Sequence, residues 1–342
     1  MADPPGPWIS AHLFCWSDLD VVLTDTVAPL LRRLRDEGTV EQAFYLRYWE
    51  GGPHLRLRLR PAAPELEADL RARLTELASA LDAGRPDARS VREYAAAAAR
   101  LAAAEHRTND YDPHVRTRGQ VEFLPYRPEH DWYGHGAALA AVEEHFCRCS
   151  RTMLATVAAG APIAVRAGLA FALHVTAVCT AAPDLHIPTR YPLADDEDYR
   201  ARPALRRQAE RCWHLTRHDP AGPVPDGGAP AAWAASLRTL HTTLSRPDLY
   251  RPALPEHARR HPAAAIAPGP LPIVYARLAH LAANRLGISP RQEHHITALA
   301  RSALTDLAVR PPDHPTAWPP DHPTVRPSGR PSPEDRAMKG AR

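Results

Sequence analysis

The chain almost lacks lysine: of its 42 basic residues only Lys339 is not arginine. Its positive charge therefore sits on planar, forked guanidinium groups suited to carboxylate or phosphate, although GC-rich codon usage accounts for much of this bias. It also lacks net charge. At +3 over 342 residues there is no general field to attract nucleic acid, so direct nucleic-acid binding is not expected and any basic site must be local. Cysteine is scarce and odd in number, five in all, and no charged and apolar leader opens the chain. Both features point to a reducing compartment, the cytoplasm. No uninterrupted apolar run reaches the roughly 20 residues a membrane helix needs: the longest, Met153 to Cys179, is broken by Pro162, Arg166 and His174 and reads as two buried helices. No Gly-rich phosphate loop, nucleophile elbow or Cys/His zinc spacing is present, which removes the usual nucleotide and hydrolase readings. Cys147 and Cys149, two apart in a helix, point to different sides, and the adjacent His294 and His295 diverge, so neither pair reads as a metal site. With 44% hydrophobic and 24% charged residues, the chain is an ordinary soluble globular protein.

What it has is an alternating segment. Phe44 to Arg60, FYLRYWEGGPHLRLRLR, reads as two period-two strands joined by a Gly-Gly-Pro turn. With a four-residue loop, Glu50 to Pro53, Trp49 is expected opposite His54, Arg47 opposite Arg56 and Tyr45 opposite Arg58. One face then carries Tyr45, Arg47, Trp49, His54, Arg56, Arg58 and Arg60. The other carries Phe44, Leu46, Tyr48, Leu55, Leu57 and Leu59 and is expected to pack on helices. Arginines at alternate positions repel one another, which an anionic ligand relieves; a solvated sheet face carries such a row equally well without function.

Along the chain the expected order is strand Trp8 to Cys15, helix Asp18 to Arg35, the two hairpin strands, then helix Pro64 to Leu81. This is a βαββα unit forming an antiparallel or mixed sheet with helices on one face. An Ala-rich helix from Ser90 to Glu105 and further strand-like alternation from His114 to Tyr126 follow. From Gly136 the pattern turns helical, through Ile273 to Leu286 and Pro290 to Val309, with proline-rich connectors at 183–192 and 220–230. The fold class is α+β. One domain is expected over 1–309, sheet-rich to 135 and helical from 136. The tail 310–342 repeats PPDHPTAW as PPDHPTVR and is expected to be disordered.

Two further segments carry chemistry. Pro125 to Gly136, PYRPEHDWYGHG, sets Glu129, His130, Asp131, Tyr133 and His135 among glycines before a helix, a place for a substrate or for plain helix-start chemistry. In the helix around LAHLAANRLGIS, Arg277, His280 and Asn284 share one helix face. A histidine there is a candidate general acid or base, or a half-buried histidine satisfied by Asn284.

In this order, the three segments resemble the C-terminal elimination domain of class I lanthipeptide dehydratases, which also occurs as stand-alone thiopeptide-type bacteriocin biosynthesis proteins. The resemblance runs over roughly Trp8 to Leu307. The first family motif, R-Y-x-x-x-x-P-H-x-R-x-R, matches Arg47, Tyr48, Pro53, His54, Arg56 and Arg58. The second, P-E-x-x-R-Y-G-G followed by E-x-x-F-x-x-x-S, matches Pro128, Glu129, Tyr133, Gly134, Glu143, Phe146 and Ser150. The third, H-x-x-x-N-R-L-G, matches His280, Asn284, Arg285, Leu286 and Gly287.

The resemblance implies maturation of a ribosomally made peptide: glutamate is eliminated from glutamylated Ser or Thr to leave dehydroalanine or dehydrobutyrine. It implies Arg58, Glu129 and His280 as catalytic residues, and Arg56, Arg47, His54, Trp132, Tyr133, Asn284 and Arg285 as substrate-binding ones. The implied partners are a precursor peptide, leader plus core, and a separate glutamylating or dehydrating enzyme; no cofactor, metal or membrane is implied. One departure from the pattern matters. Trp132 stands where the family has an arginine that grips glutamate, and Arg127, Arg116 or Arg118 are candidate substitutes. The departure keeps a second reading open, the thiopeptide pyridine synthases. These share the fold, join two dehydroamino acids in a formal [4+2] cyclisation and expel the leader, and Trp132 would suit their thiazole-rich substrates by stacking. A noncatalytic precursor-binding subunit is a third reading.

Overall fold

Period-two alternation near the N-terminus becomes strands β1 (Ile9–Phe14), β2 (Val40–Tyr48) and β3 (His54–Pro61), and a fourth, β4 (Gln120–Phe123), joins them. The computed structural model describes residues 7–81, 86–104, 110–117, 119–182, 197–217, 228–266 and 268–310. The connector at 183–192, all but the last three residues of that at 220–230, Arg118, and the tail from 311 with its repeat lie outside the described residues. The sheet has the order β2-β3-β1-β4, and every pairing is antiparallel. The α+β class is as expected, with an antiparallel rather than a mixed sheet.

Asp18 caps the first helix by accepting from the Asp20 N–H at 2.8 Å. That helix is not continuous: α1 (Leu19–Val22) gives way to a π turn, Leu23–Val27, before α2 (Ala28–Asp36). The wide turn accommodates Pro29, whose ring would clash in a regular helix and which has no N–H to donate. Then come α3 (Glu67–Ala80), α4 (Ala88–Ala104) and the single turn α5 (His130–Tyr133). The helical half comprises α6 (Gly136–Ala158), α7 (Ile163–Ala181), α8 (Glu197–Arg200), α9 (Pro203–Arg217), α10 (Gly228–Leu244), α11 (Glu256–Arg259), α12 (Leu271–Arg285) and α13 (Pro290–Val309). The run from Met153 does split at Pro162, between α6 and α7. By length and composition α7 could cross a membrane, but 67% of it is buried inside the fold, as in a core helix. All five cysteines are buried and free.

The hairpin register differs from the expected one. Tyr48, not Trp49, pairs with His54, and Arg47 faces Leu55, Leu46 faces Arg56, Tyr45 faces Leu57 and Phe44 faces Arg58. The loop holds five residues, Trp49 to Pro53, because Trp49 leaves the strand to pack on Ala98 and Ala102 of α4. Gly51 and Gly52, at φ 76° and 123°, supply the backbone such a loop requires. A one-residue slip turns every side chain of β2 over. The core face is thus Ala43, Tyr45, Leu55, Leu57 and Leu59 with Ile9, Ala11 and Leu13, packed on α2, α3 and the end of α6. The other face carries Phe44, Leu46, Tyr48, His54, Arg56, Arg58 and Arg60.

At the outer edge of β2, side chains replace the missing neighbour strand. The Tyr45 N–H donates to Ser150 Oγ at 3.2 Å, and Arg285 Nε donates to the Tyr45 carbonyl at 2.9 Å. Asn284 spans the next step: its Oδ1 accepts from Arg47 N at 2.9 Å and its Nδ2 donates to Arg47 O at 2.9 Å. An uncovered strand edge invites mispairing, and buried backbone groups need partners. Ser150 of α6 and Asn284 and Arg285 of α12 meet both needs and tie the sheet to the helical half. On the core face, Asp20 bridges Arg47 and Arg166, each at 2.5 Å.

Asn284→Ala removes both bonds to Arg47 and is expected to cost about 1–3 kcal/mol of stability in denaturant unfolding. Burial acts to raise the Asp20 pKa, but its bonds to Arg166 and Arg47 outweigh this and leave it below 3.8. A lowered carboxylate pKa stabilises the fold above the unfolded value and loses that contribution as pH falls through the folded one. The stability gap between wild type and Asp20→Asn should therefore be full at neutral pH and narrow below pH 3.8.

Candidate functional site

The face of the sheet turned away from its core gathers the arginines of β3. Arg60 donates to Glu143 at 2.9 Å and to Gln42 at 2.6 Å, with its guanidinium 4.3 Å above the Trp8 ring. Arg56 lies 3.2 Å above Tyr48 and 3.7 Å from Glu50. Arg58, between them, has no carboxylate partner among the described residues. Its Nη2 donates to His12 Nε2 at 3.4 Å, Tyr126 lies 5.9 Å from its guanidinium, and its Nη1 is buried without a hydrogen bond. Burial, then the charge of Arg56, pull the Arg58 pKa down to about 10, so it is still a cation at neutral pH.

The neighbours of Arg58 do not neutralise it. His12, from β1, and His54 stack at 5.1 Å. Burial and the surrounding arginines hold His12 at about 2 and His54 at about 3, so both are neutral at working pH. His54 Nδ1–H donates to the Gly52 carbonyl at 3.0 Å, and its buried Nε2 has no partner. A half-buried cation with one Nη fully enclosed and neutral rings on its flanks is poorly solvated on that side, and an incoming anion meets it with little competition. His12 was not legible as a site residue, since a lone histidine in a short strand has no spacing signal; it faces the arginines only because β1 lies beside β3.

A second group adjoins this face through Tyr126, which packs tilted against Trp8 and edge-on to Phe44, is hydrogen-bonded to Glu143 and senses the charge of Glu129. Arg277, from α12, donates to Glu129 at 2.5 Å and to the Tyr133 hydroxyl at 3.1 Å, and lies 4.2 Å above the Trp132 ring. Burial opposes the charge of Arg277, but Tyr133 and Glu129 outweigh it and raise its pKa. Tyr250 fixes Trp132 by donating to its carbonyl at 2.9 Å. The guanidinium beside Trp132 is therefore that of Arg277. Arg116, a candidate substitute, is taken up by Asp112 and Glu122.

One turn after Arg277, His280 is exposed on its outer side and meets both oxygens of Glu293 at 2.9 Å. His280, whose neighbours are Glu293 and His174, has no contact with the arginine face among the described residues, and the remaining expected site residues do not join that face. Arg47 is turned to the core face, where it meets Asp20 and the Arg285 carbonyl. Asn284 clamps the edge of β2, and Arg285, 1% exposed, is spent on Tyr45 and Ser150. Their place in the structure is architectural, because the extra loop residue inverts β2 and brings its edge, not its face, to α12.

The sequence model described as lantibiotic biosynthesis dehydratase C-term matches residues 8–304. A comparison with curated proteins found no match. Among solved structures, the chain resembles the pyridine synthase TbtD from thiomuracin biosynthesis at a TM-score of 0.57 and 19% identity, over 89% of this chain and 99% of that one. It resembles the tRNA-dependent lantibiotic dehydratase MibB from Microbispora sp. 107891 at 0.53 and 20%, over 91% of this chain and 29% of that one. TsrL gives 0.51 and 21%, over 89% of this chain and 99% of that one. At these identities the structures establish a shared fold. With the family model spanning most of its length, the chain belongs to the lantibiotic biosynthesis dehydratase C-terminal family.

Proposed function

We propose that the protein matures a ribosomally made peptide by eliminating glutamate from glutamylated Ser or Thr. Arg58 carries this reading: it is half-buried beside two neutral histidines, its Nη1 is buried without a hydrogen bond, and it has no carboxylate of its own among the described residues. The glutamyl group brings the carboxylate that Arg58 lacks, and in the reaction that group leaves as an anion. His280 takes the α-proton, the Cβ–O bond breaks, the Cα=Cβ double bond forms, and glutamate departs with the electron pair. Arg58, with Arg56 beside it, holds the leaving carboxylate, and His54 with Tyr133 shapes the surrounding wall. Glu129 keeps Arg277 in place above Trp132. The partners are the precursor peptide and a separate enzyme that glutamylates it, and the reaction requires no cofactor.

Two observations favour cyclisation instead. Trp132 presents an aromatic surface backed by Arg277, fit to stack on an azole, and the chain matches nearly the full length of a stand-alone pyridine synthase.

Mass spectrometry separates the two. Incubation with a glutamylated precursor should remove the mass of glutamate, and Arg58→Ala should slow that release about 100-fold or more; Arg58→Lys should not restore it, since a point charge does not replace the fork. Leader release from a dehydrated, azole-containing precursor, with no loss of glutamate from the first substrate, would establish the cyclase and refute elimination. Intact binding and unimpaired modification in His280→Ala would support a noncatalytic escort.

A further inference from the structure

The turn between α12 and α13 brings a carboxylate to the back of His280. Gly287, at φ 77°, reverses the chain, and Ser289 starts α13 with a reciprocal capping box to Gln292. This puts Glu293 in the first helical turn, where the helix dipole favours an anion. Its side chain, 14% exposed, reaches back so that both oxygens lie 2.9 Å from His280 Nδ1, while His174 Nε2 of α7 lies 3.6 Å away on the other side.

Resting on the reading of His280 as the group that moves the proton, we propose that Glu293 is its positioning residue: it fixes His280 as the Nδ1–H tautomer and leaves Nε2 as the working nitrogen. A carboxylate offers only acceptors, so the nitrogen facing it must carry a hydrogen. Burial would raise the Glu293 pKa, but hydrogen bonds from His174 and His280, and their charges, hold it at about 2. It is thus an anion wherever an imidazole can act as a base, and too weak a base to act itself. When Nε2 accepts the α-proton, both nitrogens of His280 carry hydrogen, and Glu293 balances the new charge.

The other groups around this pair are cationic or neutral. His174 approaches from α7, and His261, beside the 3-10 turn Pro262–Ala265, responds to Arg301 of α13 as well as to His280 and His174. No second carboxylate competes for His280 among the ion pairs of the described residues. The pairing was not legible in the sequence, where Glu293 precedes His294 and His295 and draws attention to them instead.

The test uses the full chain, labelled with 15N in histidine, with the His280 signal identified by its absence in His280→Ala. Wild type should show His280 as the Nδ1–H tautomer. Glu293→Ala should lose that signature and lower kcat for glutamate release about 100-fold, with KM within about twofold, while binding of glutamylated peptide persists. Glu293→Gln, whose amide oxygen still accepts, should keep the tautomer and recover part of kcat. An unchanged tautomer and kcat in a folded Glu293→Ala protein, with His280→Ala inactive, would overturn the proposal. The tautomer readout needs no substrate, so absence of glutamate release by wild type would overturn the functional reading and leave the positioning to be decided by the spectra alone.

Discussion

The free edge of β2 is closed by side chains rather than by a strand, and the rest of the molecule depends on that closure. Four backbone groups, the N–H and C=O of Tyr45 and of Arg47, find their partners on Ser150, Arg285 and Asn284. An edge satisfied in this way cannot recruit another strand. More important for the site, it holds α6 and α12 in register with the sheet: Ser150 lies two turns beyond Glu143 on α6, and Asn284 lies one and two turns beyond His280 and Arg277 on α12. Because the clamp sets the position of both helices along β2, it also sets where Glu143 meets Arg60 and where Arg277 meets Glu129. Sheet and helices together make a site that neither could hold alone.

Charge is distributed unevenly across that site. Arg60, Arg56, Arg277 and Arg116 each face an acidic side chain, Arg56 at the longer distance of 3.7 Å. Arg58 is the exception among the described residues of this surface. Packing neutral imidazoles beside it, rather than carboxylates, preserves its charge for a ligand, and burial makes that charge more effective than an exposed one of the same kind. His12 and His54 are held neutral by the same burial, so they do not add repulsion. This arrangement stabilises an anion that arrives or develops at the sheet face.

Much of the fold was legible in the sequence, since period-two alternation, the Asp18 cap, Pro162 and the helical patterns beyond Gly136 are local signals. The three motifs in their order were enough to indicate the family, and they include Arg58, Glu129 and His280. What was lost is nonlocal. Nothing in WEGGPH distinguishes a four- from a five-residue loop; the choice is made by Trp49, which packs on Ala98 and Ala102 some fifty residues away. That single residue inverts β2 and turns Arg47 from the expected binding face to the core. Asn284 and Arg285, substrate-binding residues by resemblance, lie instead on the edge of β2, because a strand edge needs donors and acceptors just as a substrate does. His12 and Glu293 join their groups through tertiary contacts alone, a neighbouring strand and a helix turn that folds a carboxylate back onto a histidine; Arg277 is visible on the His280 helix face, but its place beside Trp132 is not.

The central claim is that the unmatched cation of Arg58 exists to receive the carboxylate of a glutamyl group. The most direct measurement is the affinity of the protein for a precursor peptide carrying a nonreactive glutamyl amide, compared with the same peptide lacking it, in wild type and in Arg58→Ala. The glutamyl group should tighten binding to wild type by about 10- to 100-fold, the scale of a charge-assisted bond to a partly buried guanidinium, and this gain should disappear in Arg58→Ala while the unmodified peptide binds both proteins alike. Equal affinity of wild type for the two peptides would contradict the claim.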